Sequence, residues 1–145
     1  FNMYSFEIID PKSEDDINLL YSLIVSKSYN ISNCNPPSFE EHKNFVENHP
    51  YKKWYKIIFK GITIGTFYLS KVNTIGININ SNNYRTYVTV LKKILLEFQP
   101  DPEIKSIRNK HFTINCSPSN KELIKALKEL GLELIQETYI YKDSK

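Results

Sequence analysis

The chain has 145 residues and a mass of 17.0 kDa, a length typical of one globular domain and short for two, so we interpret residues 1–145 as one domain. Hydrophobic residues make up 41% and charged residues 24% of the chain, a balance that excludes global disorder. The net charge is only +3 and the chain has no arginine besides Arg85 and Arg108, so we expect no nucleic-acid partner.

The N-terminus shows no secretory signal pattern, and no apolar run approaches the roughly 20 residues that a membrane span needs. We therefore expect a cytoplasmic protein without a membrane partner. Cys34 and Cys116 are too few for a disulfide framework and are expected to be reduced, unreactive thiols. No cluster of His, Cys and carboxylates has the spacing of a metal site, so no metal is predicted.

The first predicted elements are a strand and a helix. Residues 4–9 alternate apolar and polar side chains and stop at Asp10-Pro11, a pattern typical of a strand that ends in a turn. Ser13 precedes three acidic residues and then apolar residues at helical spacing, which predicts a helix over about residues 14–27. Residues 28–37, rich in Asn, Ser and Pro, are predicted to form a loop.

A second helix and a hairpin follow. Ser38 and Glu41 have the spacing of a capping box, which opens a helix that runs to about Asn48. Two alternating runs over residues 54–69 flank Lys60-Gly61, the pattern of an antiparallel hairpin. A turn near residues 71–73 then leads to a fourth predicted strand, residues 74–80, and completes a three-stranded meander.

The last third alternates helices and strands. Apolar residues recur at intervals of three and four over residues 84–98, which predicts a third helix capped by Asn82 or Ser81. Residues 111–115 form a short predicted strand, and Ser119-x-x-Glu122 is expected to open a fourth helix that ends at Gly131. Residues 134–141 alternate again, which predicts a closing strand.

This order of elements resembles that of the GNAT family, the acetyl-coenzyme A dependent N-acetyltransferases, over essentially the whole chain. The most specific likeness covers residues 115–132, where Asn120 matches the Asn that opens the family's fourth helix. Gly131 follows eleven residues later, and Leu132 stands where the family has Phe. Residues 38–45 and 54–58 are also similar to bacterial members that acetylate amino sugars for surface polysaccharides or flagellin.

The resemblance implies an α+β, three-layer fold whose central sheet is mixed, mostly antiparallel and flanked by about four helices. It also implies a V-shaped splay between the fourth and fifth strands. Coenzyme A would enter that gap, and a backbone amide of the fourth strand would hold the acetyl carbonyl. The residues that the resemblance assigns to cofactor binding are Ile77, Asn78, Ile79, Ser81, Asn82, Asn83, Tyr84, Arg85, Asn115 and Asn120.

The chain departs from the family at the pyrophosphate loop, which has the form Gln/Arg-x-x-Gly-x-Gly/Ala. The aligned residues here are Asn80-Ser-Asn-Asn-Tyr-Arg85, so Asn83 and Arg85 stand at the two glycine positions. Asn tolerates positive φ, whereas Arg is poorly suited to close backbone approach. We expect Arg85 to pair with a phosphate through its side chain instead.

Several residues are candidates for the catalytic roles. His42 is the leading candidate for the general base, although its pattern also fits a solvated histidine on the surface of the second helix. The other candidates for the base are Glu40, Glu41 and His111. Because Leu127 stands where many members have the tyrosine that protonates the departing thiolate, Tyr139 is the candidate for that role, with Tyr141 as its alternative. A third alternative is that the thiolate leaves unprotonated, since a thiol of pKa about 8.5 is a tolerable leaving group.

The leading interpretation is an N-acetyltransferase that moves acetyl from acetyl-coenzyme A to a primary amine of a small molecule. A nucleotide-linked amino sugar is one candidate acceptor. The alternative is a degenerate GNAT-fold binding or partner module without acetyl transfer. The small-molecule amine is then the main expected partner, and a homodimer is left open.

Overall fold

A computed structural model describes residues 3–28 and 36–143, the side chains of residues 27 and 28 excepted. Most of the predicted loop over residues 28–37, and with it Cys34, lies outside these ranges. No helix in the described ranges is long and apolar enough to cross a membrane. The elements are β1 Tyr4–Ile8, α1 Glu14–Ser28, α2 Phe39–Glu47, β2 Lys53–Phe59, β3 Ile62–Leu69, β4 Thr74–Ile79, α3 Tyr84–Glu97, β5 Thr113–Ile114 and α4 Lys121–Glu129.

The strands form one sheet in the order β1-β2-β3-β4-β5. Neighbouring strands are antiparallel except β4 and β5, which are parallel. Lys60 and Gly61 join β2 to β3 with φ of 51° and 81°, the left-handed pair that a type I′ hairpin turn requires. The predicted hairpin and the predicted mixed, mostly antiparallel sheet are therefore confirmed.

The helices pack in two groups against this sheet. In one core cluster, residues of α3 and α4 such as Leu91 and Leu123 pack with Phe67 and Ile75 of the sheet. A second cluster joins α1 and α2 through residues such as Leu20 and Val46. Two separate clusters on one sheet give the three layers that the resemblance implied.

An ion pair holds α1 to the sheet. The Nζ of Lys56 on β2 lies 2.7 Å from Oδ1 of Asp16, whose side chain is only 12% exposed. The other carboxylate oxygen of Asp16 accepts the backbone N–H of Asp10 at 2.8 Å. With both oxygens bonded, this buried carboxylate fixes how α1 is rotated over β2.

The caps of α3 and α4 differ from the prediction by one residue. Asn83, not Asn82 or Ser81, caps α3, and its side chain accepts the N–H of Arg85. The predicted capping box of Ser119 and Glu122 is wrong, because Asn120 caps α4 and accepts the N–H of Leu123. The Ser119 hydroxyl is instead bonded to that of Ser117, at 2.8 Å.

The end of α4 matches the prediction, but the strand expected after it does not form. Gly131 adopts φ 83°, and the N–H groups of Gly131 and Leu132 donate to the carbonyls of Lys128 and Leu127, which makes a Schellman motif. Residues 132–143 then form neither helix nor strand. The predicted strand over 134–141 is wrong because alternation alone makes no strand, and no described strand lies beside this segment.

Candidate active site

The strands β4 and β5 pair over only two residues each, because β5 is only two residues long. Their parallel pairing covers only Thr74 with Thr113 and Ile75 with Ile114. Beyond this point β4 continues to Ile79 and remains paired with β3 on its other side. Beyond Ile75, β4 therefore has no paired strand on this side among the described residues, at the place where the resemblance implied the V-shaped gap. We call this open side of β4 the gap.

The backbone of Ile77 faces this gap. Asn80 donates its N–H to Ile64 of β3, and Thr74 accepts from Ser70, so the even-numbered residues of β4 bond to β3. The odd-numbered residues consequently point their N–H and C=O groups toward β5. Because the pairing with β5 ends at Ile75, the N–H of Ile77 faces no paired strand among the described residues and is directed into the gap.

A cavity of about 330 Å³ opens over the gap. The apolar side chains of Leu20, Leu23 and Ile24 form its α1 wall. Four residues of the predicted site line this cavity. Ile77, Asn78 and Asn115 were predicted to bind the cofactor, and His42 is the predicted base. Thr66 and Asn80 add further polar groups.

Aromatic rings make a second wall, which sequence reasoning did not identify. Tyr51 stacks on Tyr68 with ring centroids 3.8 Å apart and planes 7° apart, and Trp54 meets Tyr51 edge-on at 5.1 Å. Tyr68 lies across Gly76 of β4, where a Cβ would come within 2.0 Å of the tyrosine ring. Gly76 is thus needed for the tyrosine to lie flat against the sheet. Burial raises the pKa of Tyr51, with a smaller contribution from Tyr68.

The cavity is uncharged. Within the described part of the chain, the residues that line it include no Asp, Glu, Lys or Arg. His49 stands beside Trp54, at 5.2 Å between ring centroids, and burial lowers its pKa and favours its neutral form. The site therefore suits a ligand whose body is apolar or aromatic-faced and whose polar atoms are neutral.

His42 is buried rather than solvated, so the interpretation as a surface histidine is wrong. Its residue is 2% exposed, and its Nε2 lies 2.9 Å from the carbonyl oxygen of Ile17 on α1. Since a carbonyl only accepts, Nε2 must carry a proton to bond it, which leaves Nδ1 as the other polar atom of the ring. His42 thus ties α2 to α1 while its ring forms part of the cavity wall.

The start of α3, where the cofactor phosphates were expected, is partly occupied by the chain itself. The N–H of Tyr84 donates to Oε1 of Glu122 on α4 at 3.1 Å, and the N–H of Arg85 donates to the side chain of Asn83 at 2.8 Å. Two cations flank this point: the Nζ of Lys125 lies 3.8 Å from the ring centre of Tyr84, and Cζ of Arg85 lies 5.4 Å from it. Glu122 therefore puts a carboxylate where the resemblance places the diphosphate.

The other predicted residues lie apart from the cavity lining. Asn82 accepts the hydroxyl of Tyr87, and Ile79 is buried in the main core. Glu41 belongs to the α2 capping box. Its hydrogen bond from the backbone N–H of Ser38 lowers the pKa of Glu41, and a hydrogen bond with the Ser38 side chain lowers it further. Ser81, Asn83, Tyr84, Arg85 and Asn120 lie at the starts of α3 and α4, while Glu40, His111, Tyr139 and Tyr141 are exposed.

Solved structures share this arrangement of strands and helices. A Campylobacter jejuni N-acetyltransferase, PseH, superposes with a TM-score of 0.61 at 12% identity, over 94% of this chain and 92% of that one. The chain has the GNAT fold. A complex of AAC(6')-Iy with a bisubstrate analogue of coenzyme A and acetylneamine has a TM-score of 0.55 at 10% identity, over 99% of this chain and 100% of that one.

An integron cassette protein of V. cholerae reaches a TM-score of 0.65 at 14% identity, over 99% of this chain and 95% of that one. No protein-family model and no curated protein sequence matches the chain. At these identities the likeness establishes the GNAT fold. What the site does must be argued from the residues of this chain.

Proposed function

We propose that the protein transfers acetyl from acetyl-coenzyme A to a primary amine of a small molecule. The observation that carries the proposal is the side of β4 beyond Ile75 that no described strand pairs with, where the N–H of Ile77 faces the gap beside the cavity. Bound acetyl-coenzyme A would supply an acetyl thioester for direct attack by the amine. The N–H of Ile77 would then stabilise the negative charge that develops on the acetyl oxygen.

The cavity supports an acceptor that enters beside Ile77 against the aromatic wall. The rings of Tyr51, Trp54 and Tyr68 line the cavity with apolar surface, and Thr66 and Asn115 offer hydrogen bonds. An amino sugar has both a ring face and hydroxyls to match. A nucleotide-linked sugar would carry its diphosphate outside the cavity, because no cation lines the cavity in the described residues.

His42 is the proposed general base. With Nε2–H held by Ile17, Nδ1 can accept the proton that the amine loses when its nitrogen bonds to the acetyl carbon and the carbon–sulfur bond breaks. Tyr139 stays a proposal for the proton donor to the thiolate, and it requires the segment after α4 to approach the gap, since the tyrosine is 83% exposed.

The phosphates of the cofactor would meet the start of α3. Arg85 and Lys125 supply positive charge there, while Glu122 must leave the N–H of Tyr84 for a phosphate to bind it. The same contact favours the second candidate function, a GNAT-fold binding module in which Glu122 permanently replaces the phosphates. The two functions differ in whether the chain binds acetyl-coenzyme A.

A titration with acetyl-coenzyme A tests the proposal. We expect the cofactor to bind and to raise the melting temperature by mass action. We also expect the charges of Glu122 and Arg85 at the start of α3 to affect its binding in opposite directions. Glu122→Gln should tighten binding and Arg85→Ala should weaken it, each by roughly fivefold, since one charge at a helix start contributes about 1 kcal/mol. Isothermal calorimetry on each variant measures the change.

Glu129→Gln is the matched control, because it removes the same charge from the exposed end of the same helix and should leave the affinity unchanged. An analogue of the cofactor that lacks the diphosphate should not distinguish Glu122→Gln from the wild type. If the wild type gives no heat and no thermal shift at millimolar cofactor, the enzyme proposal is wrong and the binding-module proposal stands.

Two substitutions of His42 separate catalysis from packing. Glutamine can still donate to the carbonyl of Ile17 but is no base, so His42→Gln should lower kcat by about 10²-fold or more with a near-native melting temperature. His42→Ala also loses the hydrogen bond and should be destabilised as well. The turnover rate is measured on a panel of amino sugars, with the release of free thiol from acetyl-coenzyme A as the readout.

Unchanged turnover in His42→Gln would show that His42 only joins α2 to α1. A loss of turnover in His42→Gln that disappears at high pH, where the amine deprotonates without help, would support His42 as the general base.

A further inference from the structure

His49 lies beside the aromatic wall of the cavity, in the connection between α2 and β2. The wall is formed by Tyr51, Trp54 and Tyr68, which line the cavity, whereas His49 does not. The imidazole contacts two of these rings, with centroids 5.4 Å from that of Tyr51 and 5.2 Å from that of Trp54. His49 can therefore affect a ligand in the cavity only through the wall.

A hydrogen bond fixes the charge and the tautomer of His49. The backbone N–H of Tyr51 donates to Nδ1 of His49 at 3.2 Å. A ring nitrogen accepts a hydrogen bond only when it carries no proton, so the imidazole is neutral and its proton is on Nε2. Burial lowers the pKa of His49, which favours the same neutral form.

This hydrogen bond is made where the chain turns from α2 into the sheet. The connection is held at one end by the C-cap Asn48 and at the other by Lys52, whose N–H donates to a carbonyl of β3. Between these two points, the His49 ring accepts the N–H of Tyr51. The bond therefore sets the backbone from which the Tyr51 ring extends to stack on Tyr68.

We propose that His49 is a positioning residue, which holds the aromatic wall in the arrangement that binds the amine acceptor by accepting the N–H of Tyr51. The part of this proposal that concerns the acceptor rests on the proposed function. A proton on Nδ1 would set two donors against each other, so protonation of His49 releases Tyr51. Because the pKa of His49 is lowered in the folded protein, the bond is complete above about pH 6.5 and is lost as the pH falls through the lowered value.

The neighbours of His49 do not supply a competing charge. The titratable residues within three positions of it in the chain are Glu47, Tyr51 and Lys52. Glu47 is exposed, Lys52 pairs with Asp101 at 2.7 Å, and burial raises the pKa of Tyr51, which keeps that ring neutral. No ion pair involves His49 in the part of the chain that the structure describes.

NMR on the free protein tests whether His49 positions the wall. We expect the imidazole of His49 to carry its proton on Nε2 at neutral pH, and the amide signal of Tyr51 to move with the same midpoint as His49 when the pH is lowered to about 5. The His49→Asn variant identifies the His49 signals and separates them from those of His42, which lines the same cavity. A proton on Nδ1 at neutral pH, or a Tyr51 amide that does not follow the His49 titration, would overturn the proposal.

Two substitutions separate the hydrogen bond from the packing of the ring. Asparagine can accept the N–H two residues later through its side-chain oxygen, so His49→Asn should keep the wall in place and remove its pH dependence. His49→Ala loses the acceptor, and we expect the KM for the acetylated amino sugar to rise about fivefold while kcat changes little. If His49→Asn is impaired as much as His49→Ala, the hydrogen bond does not position the wall.

Asn48→Ala is the matched control at the same end of α2. The side chain of Asn48 bonds back to Asn44, so this variant should weaken the helix end without raising KM. An equal rise of KM in Asn48→Ala would mean that His49 acts only through the stability of the connection, contrary to the proposal. If the wild type acetylates no amino sugar, the proposed function fails, while the NMR titration still decides whether His49 positions the wall.

Discussion

Replacing Gly65 by alanine is expected to lower the free energy of unfolding by about 3 kcal/mol, or roughly 10 °C in melting temperature. A Cβ at Gly65 would lie 2.1 Å from the carbonyl oxygen of Asn78 and 2.8 Å from Cα of Ile79. Both are backbone atoms of β4, so no side chain can rotate to make room. The strands must move apart at the floor of the cavity, and we expect cofactor binding to weaken with the fold.

The matched control is Gly61→Ala. Gly61 has φ +81° and open space around it, so alanine there carries only the strain of a left-handed backbone, about 1 kcal/mol. Guanidinium unfolding of both variants gives the comparison. If Gly65→Ala costs no more than Gly61→Ala, the close approach of β3 to β4 is not what requires a glycine.

Asn73→Ala is expected to cost about 3 to 4 kcal/mol, because the side chain of Asn73 is a buried crosslink. Its Nδ2 donates to the carbonyls of Asp101 and Asn109, at 2.8 and 2.7 Å, and its Oδ1 accepts the N–H of Asp101 at 2.8 Å. Its own carbonyl accepts from Thr113, so the same residue holds β5 against β4 where their pairing begins. Thermal unfolding measures the loss, and acetyl-coenzyme A affinity should fall with it.

Two further variants identify why Asn73→Ala destabilises the protein. Asn73 has φ 63°, so Asn73→Gly relieves any backbone strain but loses the same hydrogen bonds, and it should keep most of the destabilisation. Asn109→Ala removes one exposed hydrogen bond, to the N–H of His111, and should cost under about 1 kcal/mol. A native-like Asn73→Gly variant would show that backbone conformation, not the crosslink, makes Asn73 important.

The sequence predicted the elements whose signals are local. The capping box of Ser38 and Glu41, the Lys60-Gly61 turn and the end of α4 at Gly131 all depend on residues close together in the chain, and all three are confirmed. The strand over 134–141 failed because a strand depends on a neighbour, which no alternation pattern supplies.

The site was harder to predict because its parts meet through the sheet. Ile77, Asn78 and Asn115 were placed by the family resemblance and do line the cavity. The aromatic wall had no local signal, because the turn at Lys60-Gly61 alone would pair Trp54 with Phe67. A β-bulge between Ile57 and Ile58 shifts the register by one residue, so that Trp54 pairs with Tyr68. Glu122 had no local signal either, since its contact with Tyr84 joins residues 38 positions apart in the chain.

Trp54 gives the cavity a built-in optical reporter. It is the only tryptophan of the chain and lines the cavity, in ring contact with Tyr51 and His49. All indole emission of the protein therefore comes from this wall. A ligand that displaces water from the cavity should shift the emission wavelength, whereas occupancy confined to the start of α3 should not, so fluorescence without any label reports which end of the site is filled.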